Sequence, residues 1–415
     1  MASTAQERSA APGWRRIIPL LGPAIVAGVA YLDPGNVAAN MSAGAQFGYL
    51  LVWVVVLGNL MAWLVQYLSA KLGIATGQSL PQILGTRIRS QWGRRAYWAQ
   101  AEIVAMATDL AEVVGGAIAL QLLFGLPLFI GGLITGAVSI TILVIQNRGG
   151  AKRFERVIAA MMLVIAAGFT AGVFVQPPDA AATVAGLVPR FDGTGSVLLA
   201  ASILGATIMP HAIYAHSALA RDRFGRVAPG PRRSLVLRAT RVDVTIALAV
   251  AGTVNIVILL VAAAALRGVT GTNTLGGAHA ALVASLGPAI ATLFAIGLLA
   301  SGLASTSVGA YAGSEITQGL LRVRIPLVLR RLITLVPALT VLALGFDPMW
   351  SLVLSQVVLS FGIPFALIPL TWLTTRRALL GDSTNRWFTT AFAVLTTALL
   401  VALNGVLVVL VFSSA

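Results

Sequence analysis

Residues 17–41 read IIPLLGPAIVAGVAYLDPGNVAANM. The run is long enough to cross a bilayer, for which about 20 apolar residues are needed. Asp33, Pro34, Gly35 and Asn36 nevertheless stand near its middle. An ionisable residue at that depth is costly and by default functional. Pro34 has no N–H to give and Gly35 tolerates nearly any φ/ψ, so the helix is expected to break there and leave carbonyl oxygens free as potential ligands. Half a chain later Met209, Pro210 and His211 interrupt a second apolar run in the same way.

The rest of the composition agrees with a chain built in lipid. Of 415 residues 58% are hydrophobic and 10% charged, and the mean hydropathy is +0.91. No soluble core needs that much apolar surface, so the fold class expected is an all-α polytopic membrane protein. The 42 glycines suit helices that approach closely in a bilayer. There is no cysteine, which excludes disulfides, thiolate metal sites and cysteine nucleophiles. A net charge of +15 would suggest nucleic acid for a soluble protein; here it reads as Lys and Arg gathered in cytoplasmic loops, with the lipid bilayer rather than nucleic acid as partner. The first apolar segment leads into further spans and shows no obvious small-residue cleavage site, so it is read as retained.

After a basic leader, residues 1–16, hydropathy marks eleven spans at about 17–42, 47–72, 98–124, 127–146, 156–176, 195–220, 241–266, 284–318, 326–346, 349–374 and 386–412. Charge tests that count. Connections after even-numbered spans carry clusters such as Arg87, Arg89, Arg94 and Arg95, or Arg221, Arg223, Arg226, Arg232 and Arg233, whereas those after odd-numbered spans hold only Arg190 and Arg267. The asymmetry places the N-terminus in the cytoplasm and the C-terminus outside; the expected location is the cell's inner (plasma) membrane. No linker divides the chain, so residues 17–412 are expected to form one transport domain. Asp33-Pro34 in span one and Met209-Pro210 in span six lie at matching places in two five-helix repeats, about 17–176 and 195–374, with about 386–412 as an added helix. An odd number of spans per repeat makes the second inverted. Interrupted segments at matching places are the sequence pointer to a transporter's central site.

Asp33 and Asn36 offer hard oxygens that many divalent cations accept, and Met209 offers a soft thioether that gives little to Mg²⁺ or Ca²⁺. Together they favour Mn²⁺, Fe²⁺, Co²⁺ or Cd²⁺. Glu102, Asp109 and Glu112, spaced by seven and three, share one face of span three. Two readings are open for them: a proton or ion path, since desolvated carboxylates can take up and release protons, or a structural network with arginines. His211 reads as a proton carrier or hydrogen-bonding residue beside the metal ligands, while His216 and His279 read as structural. Gln356 is a further candidate oxygen ligand, with an interhelical hydrogen bond as the plainer reading. Zinc-protease, nucleophile-elbow and Walker motifs are missing. The chain is therefore not read as an enzyme, and active transport would have to run on an ion gradient.

These residues resemble the Nramp family of proton-coupled divalent metal transporters. The likeness rests on Asp33-Pro34-Gly35-Asn36 between Gly22-Pro23-Ala24 and Gly48-Tyr49, and on Met209-Pro210-His211 with the later His216-Ser217-Ala218-Leu219. It continues through Gly73-Ile74-Ala75-Thr76-Gly77, Ala312-Gly313, Ser355-Gln356-Val357-Val358-Leu359-Ser360 and Pro364-Phe365. It implies a LeuT-type fold of two inverted five-helix repeats plus an eleventh helix. It also implies metal held by Asp33, Asn36 and Met209 and by the backbone carbonyls of Ala30 and Ala206, with Gln356 joining as the site closes. Proton relay is implied for His211, Asp109 and Glu112, extended inward by Glu102, Arg330 and Arg331. The chain departs from the family's usual pattern at Ala212 and Ala215, where asparagine and a longer apolar residue are common. Relatives that carry Mg²⁺ or Al³⁺ lack the full ligand set that this chain keeps.

The expected function is a symporter importing Mn²⁺ and Fe²⁺, with Cd²⁺ and Co²⁺ accepted, by alternating access with protons. The metal is cargo; no cofactor and no obligate protein partner are implied. A sodium-coupled amino-acid or organic-solute symporter of the same fold, and a passive cation channel, are the alternatives. Asp33 would repel the carboxylate that the first of these turns toward exposed helix ends, and a channel would show no proton coupling.

Overall fold

A computed structural model describes residues 13–149, 151–272 and 275–413. The leader's residues 1–12 lie outside them. Among the described residues the chain is helical without strands, as a membrane interior demands of backbone that cannot bond to water.

The first expected span is two helices. Pro23–Val29 (α1) runs into one 3₁₀ turn, Ala30–Leu32, and Pro34–Phe47 (α2) begins after the extended residue Asp33. Then come α3 (Val52–Thr76), a short helix over Leu80–Arg87, and α4 (Gln91–Phe124). Next are α5 (Leu128–Gly149) and α6 (Ala151–Thr170). The sixth span is again split, into α7 (Gly193–Thr207) and α8 (Pro210–Phe224), with Ile208 and Met209 out of helical geometry between them. The remainder are α9 (Pro231–Ala265), α10 (Pro288–Leu321), α11 (Leu327–Ala343), α12 (Pro348–Thr374) and α13 (Trp387–Ser413).

Helix thus stands at all eleven expected places. By length and apolar composition alone, eight of the described helices could cross a membrane, or nine with the pair Trp14–Leu20 and Pro23–Leu32, which meets at 53°. α5 and α11 fall below that test. The apolar part of α5 is Leu128–Val144, and α11 has 17 residues, about 26 Å of helix, with Arg330 and Arg331 in its first half.

Boundaries differ where charge was read as loop. α9 starts at Pro231 rather than about 241, so Arg232, Arg233 and Arg238 lie on the helix; α4 starts at Gln91 and takes in Arg94 and Arg95. Arginine is a good helix former, and its long stem lets a helix continue past the hydrocarbon edge. Several spans begin at proline, the residue whose missing N–H costs nothing at the first helical position.

Helix α4 is the post around which both breaks are set. A Cβ on its Gly115 would collide with the Pro34 ring, so only glycine lets α2 start there. Nearer the other end of α4, Val104 and Pro210 meet at Gly362 of α12, where an added Cβ would lie 2.9 Å from Val104 and 3.0 Å from Pro210. The same α12 brings Gln356 over Gly35. Gln356 and Gly362 are six residues apart, about 9 Å along a helix, which bounds the interval between the two breaks along α12.

Candidate metal and proton site

At the first break Asp33 is the N-cap of α2. Its Oδ1 accepts from the Asn36 N–H at 3.0 Å and its Oδ2 from the Gly35 N–H at 3.2 Å. Asp33 and Asn36 are fully buried. Each carboxylate oxygen so engaged keeps further lone-pair capacity for a cation. Asn36 donates from Nδ2 to the Tyr31 carbonyl at 2.7 Å, and its Oδ1 accepts from Asn40 Nδ2 at 2.8 Å. One acceptor direction on that oxygen therefore remains open.

Carbonyls freed by the break are partly claimed. Asn255 of α9 also donates to the Tyr31 carbonyl, at 3.0 Å, and Ser301 Oγ of α10 donates to that of Leu32. Among the described residues no side chain takes the carbonyls of Ala30 or Ala206. Both residues are fully buried.

Met209 precedes α8 as Asp33 precedes α2, in extended backbone and fully buried, but it supplies no side-chain cap. Gln356 is buried and its carboxamide presses on Gly35 beside the Asp33 carboxylate without completing a well-aligned hydrogen bond. A cavity of about 50 Å³, lined by Gly35, Ala38, Ser42, Leu199, Leu352 and Gln356 among others, adjoins it on the α2 side. Among the described residues no group of three His, Cys, Asp or Glu side chains could hold a metal. A cation here would have to rely on amide, thioether and carbonyl donors beside one carboxylate.

The acids of α4 are split among different partners. Asp109 and Arg331, both buried, lie 2.8 Å apart as an ion pair, with the donor out of line for a hydrogen bond. Arg331 Nε donates to Ser139 Oγ of α5 at 3.0 Å. Glu102, seven residues before Asp109, pairs with Arg330 at 2.7 Å, and Thr317 of α10 lies beside it. Glu112 is fully buried, lies near Ser305, and is close enough to Asp109, Arg331 and Asp33 to interact with their charges. Added to Gly309 of α10, a Cβ would touch Asp109 and Glu112, each at 3.5 Å. His211 lies 3.4 Å from Thr108 Oγ1 through Nδ1, and its Nε2 has no hydrogen-bond partner among the described residues.

Several polar residues here were not singled out by sequence reasoning. Tyr31, Gln66 and His216 form one chain: Gln66 Nε2 donates to the Tyr31 hydroxyl, and its Oε1 lies 2.7 Å from His216 Nδ1. His216, read as structural, is therefore tied to the residue next to Ala30. A second set closes the end where α1 begins. Arg221 of α8 binds Glu315 of α10 through two bonds of 2.9 and 3.0 Å, and Tyr311 donates to Asp222 at 2.6 Å. Asp243 Oδ2 of α9 accepts the N–H groups of Gly22 and Ala24 at 3.0 and 2.9 Å, and Arg223 donates to the Pro19 carbonyl at 3.1 Å. The signal for Gln66, Asn255 and Glu315 was present as polar residues inside apolar helices.

Two half-helices that both begin at a buried centre, each behind a possible cation ligand, define a broken-helix membrane transporter. The chain belongs to the Nramp family: the model described as "Natural resistance-associated macrophage protein-like" matches residues 24–410. It is 61% identical over 391 residues to a divalent metal cation transporter, MntH, of Mycobacterium tuberculosis, covering 94% of this chain and 91% of the relative. To the MntH of Deinococcus radiodurans it is 48% identical, covering 95% and 90%. A crystal structure of an Eremococcus coleocola manganese transporter superimposes with a TM-score of 0.85 at 31% identity, over 94% of this chain and 86% of that one. The fold alone is shared with a nucleobase-cation-symport-1 family transporter, at a TM-score of 0.60 and 16% identity.

Proposed function

We propose that the chain carries divalent transition metal ions, Mn²⁺ first and Fe²⁺ beside it, into the cytoplasm together with protons. The observation that carries this reading is the pair of Pro-initiated half-helices whose preceding residues are Asp33 and Met209, in a member of a metal-transporter family. Asp33 supplies charge, Asn36 a neutral oxygen, Met209 a soft donor that discriminates against Mg²⁺ and Ca²⁺, and the Ala30 and Ala206 carbonyls complete the shell. Gln356, pressed on Gly35, is placed to join it. The arrangement supports an inner-membrane carrier with a cytoplasmic N-terminus, two inverted repeats over about 17–176 and 195–374 and an added helix over about 386–412. The reading assigns it no catalytic role and needs no obligate protein partner.

Glu112 is the link between the two halves of the site, since it senses both Asp33 and the Asp109–Arg331 pair. A dication arriving beside Asp33 favours loss of a proton from groups nearby. His211, Glu112 and Asp109 are the acceptors in line, and Glu102 with Arg330 and Arg331 carries the path onward. In proteoliposomes with a pH gradient, Mn²⁺ entry should acidify the lumen, and Glu112→Gln or Asp109→Asn should remove most of that acidification. Intact acidification in either variant would remove that residue from the path. Titration calorimetry with Mn²⁺, Mg²⁺ and amino acids separates this reading from a solute carrier, and flux that ignores the pH gradient would favour a channel.

A further inference from the structure

Away from the metal and proton groups, a cavity of about 860 Å³ opens where α3 ends and α9 and α13 begin. Tyr67, Lys71, Arg233, Arg238, Arg241 and Arg386 stand in its wall. Five cations thus converge on one space, facing one acid, Asp382. None of the five takes part in an ion pair among the described residues.

The cations have distinct stations. Arg233 is buried and already occupied, donating to the carbonyls of Val227 at 2.7 Å and Ala75 at 3.3 Å, so it holds the floor together. Lys71 is buried too, but among the described residues its ammonium meets a carboxamide, Asn385, and the face of Tyr67 at 5.8 Å rather than a carboxylate. The Arg241 guanidinium lies 5.3 Å from the same ring. Two positive groups beside one aromatic ring, one of them buried and without a carboxylate among the described residues, leave positive charge that an anion in the cavity they line would balance. Arg238 and Arg386 are exposed at the rim.

Depth decides what kind of anion. Immediately after Arg386, Trp387 and Phe388 stack on each other and are 70% and 64% exposed. Exposed aromatic residues at the end of a span mark the headgroup level, where the phosphates of lipids lie. Farther along α13, Val394 and Leu395 are 52% and 63% exposed, apolar surface that acyl chains would cover.

We propose that this cavity binds the phosphodiester headgroup of an anionic phospholipid, with Lys71, Arg238, Arg241 and Arg386 as its phosphate ligands. The recognised chemistry is an anionic phosphoryl oxygen cluster, which free phosphate shares. Basic pockets at a membrane surface gain from each added Lys or Arg.

The test uses the full-length protein in neutral detergent, followed by native mass spectrometry and thermal melting with phosphatidylglycerol, phosphatidylcholine or inorganic phosphate added. Phosphatidylglycerol should be retained and should raise the melting midpoint, while phosphatidylcholine at the same concentration does neither. Each of Arg238→Gln, Arg241→Gln and Arg386→Gln should weaken retention about fivefold. Equal retention of the two lipids, or full retention by the triple variant, would overturn the proposal. Displacement of the lipid by inorganic phosphate, with stabilisation by phosphate alone, would overturn the lipid assignment in favour of a soluble anion. If the triple variant melts early without lipid, Arg386→Gln alone, at an exposed position ahead of α13, gives the same decision.

Discussion

The break before α2 is braced by many side-chain hydrogen bonds, whereas the break before α8 has almost none. At the first, Asp33 caps the helix with both oxygens, Asn36 is tied at both ends of its amide, and Asn255 and Ser301 reach in from α9 and α10. At the second, Met209 offers no cap, and the start of α8 is placed by packing of Pro210 at Gly362 and by the contact of His211 with Thr108. Charge and rigidity are thus concentrated in one half-site. Softness and adaptability are left to the other, where a polarizable, flexible thioether can follow its ligand.

Changes at the first break should have the largest effects. Asp33→Ala removes charge and cap together, so Mn²⁺ uptake in proteoliposomes should vanish and the protein should lose about 1 kcal/mol of stability. Asp33→Asn keeps an N-cap oxygen and removes the charge. Uptake should still vanish while melting barely moves, and uptake surviving in Asp33→Asn would show that the cap rather than the charge matters. At the second break, Met209→Ala should lower Mn²⁺ uptake less and should make Ca²⁺ and Mg²⁺ better competitors; unchanged competition would end the argument for a soft ligand. Asn40→Ala should have the smallest effect, a modest rise in the Mn²⁺ concentration for half-maximal uptake as Asn36 loses its partner, with about 1 kcal/mol of stability lost.

The contrast also explains what could be read from sequence. Both breaks were legible because proline and glycine act on their own backbone, and the positions of eleven helices were legible because hydropathy is a property of one segment. The family followed from the motifs at those breaks. What supports the breaks was not legible. Gln66, Asn255 and Ser301 are single polar residues in apolar helices, and whether they face lipid or the centre depends on how far each helix is rotated against its neighbours. Arg330 and Arg331 teach the same point. Consecutive residues on a helix point about 100° apart, so they cannot share an acid; one takes Glu102 and the other Asp109, two turns apart on α4. The resemblance put Glu102, Asp109, Arg330 and Arg331 in one pathway without assigning the pairs.

The shortage of carboxylates around Asp33 has a consequence for time rather than for structure. With no trio of His, Cys, Asp or Glu side chains among the described residues, a dication held by one carboxylate and neutral donors keeps unbalanced positive charge. Its affinity is therefore expected to be modest. A site that binds at about 1 μM and fills at about 10⁷ M⁻¹s⁻¹ empties in about 0.1 s, whereas a nanomolar cage filling at that rate would hold its ion for about 100 s. By stopped-flow release of Mn²⁺ from the detergent-solubilised protein, dwell times well under a second are expected. Sparse charge at Asp33 thus sets an upper limit on how long each ion delays the next.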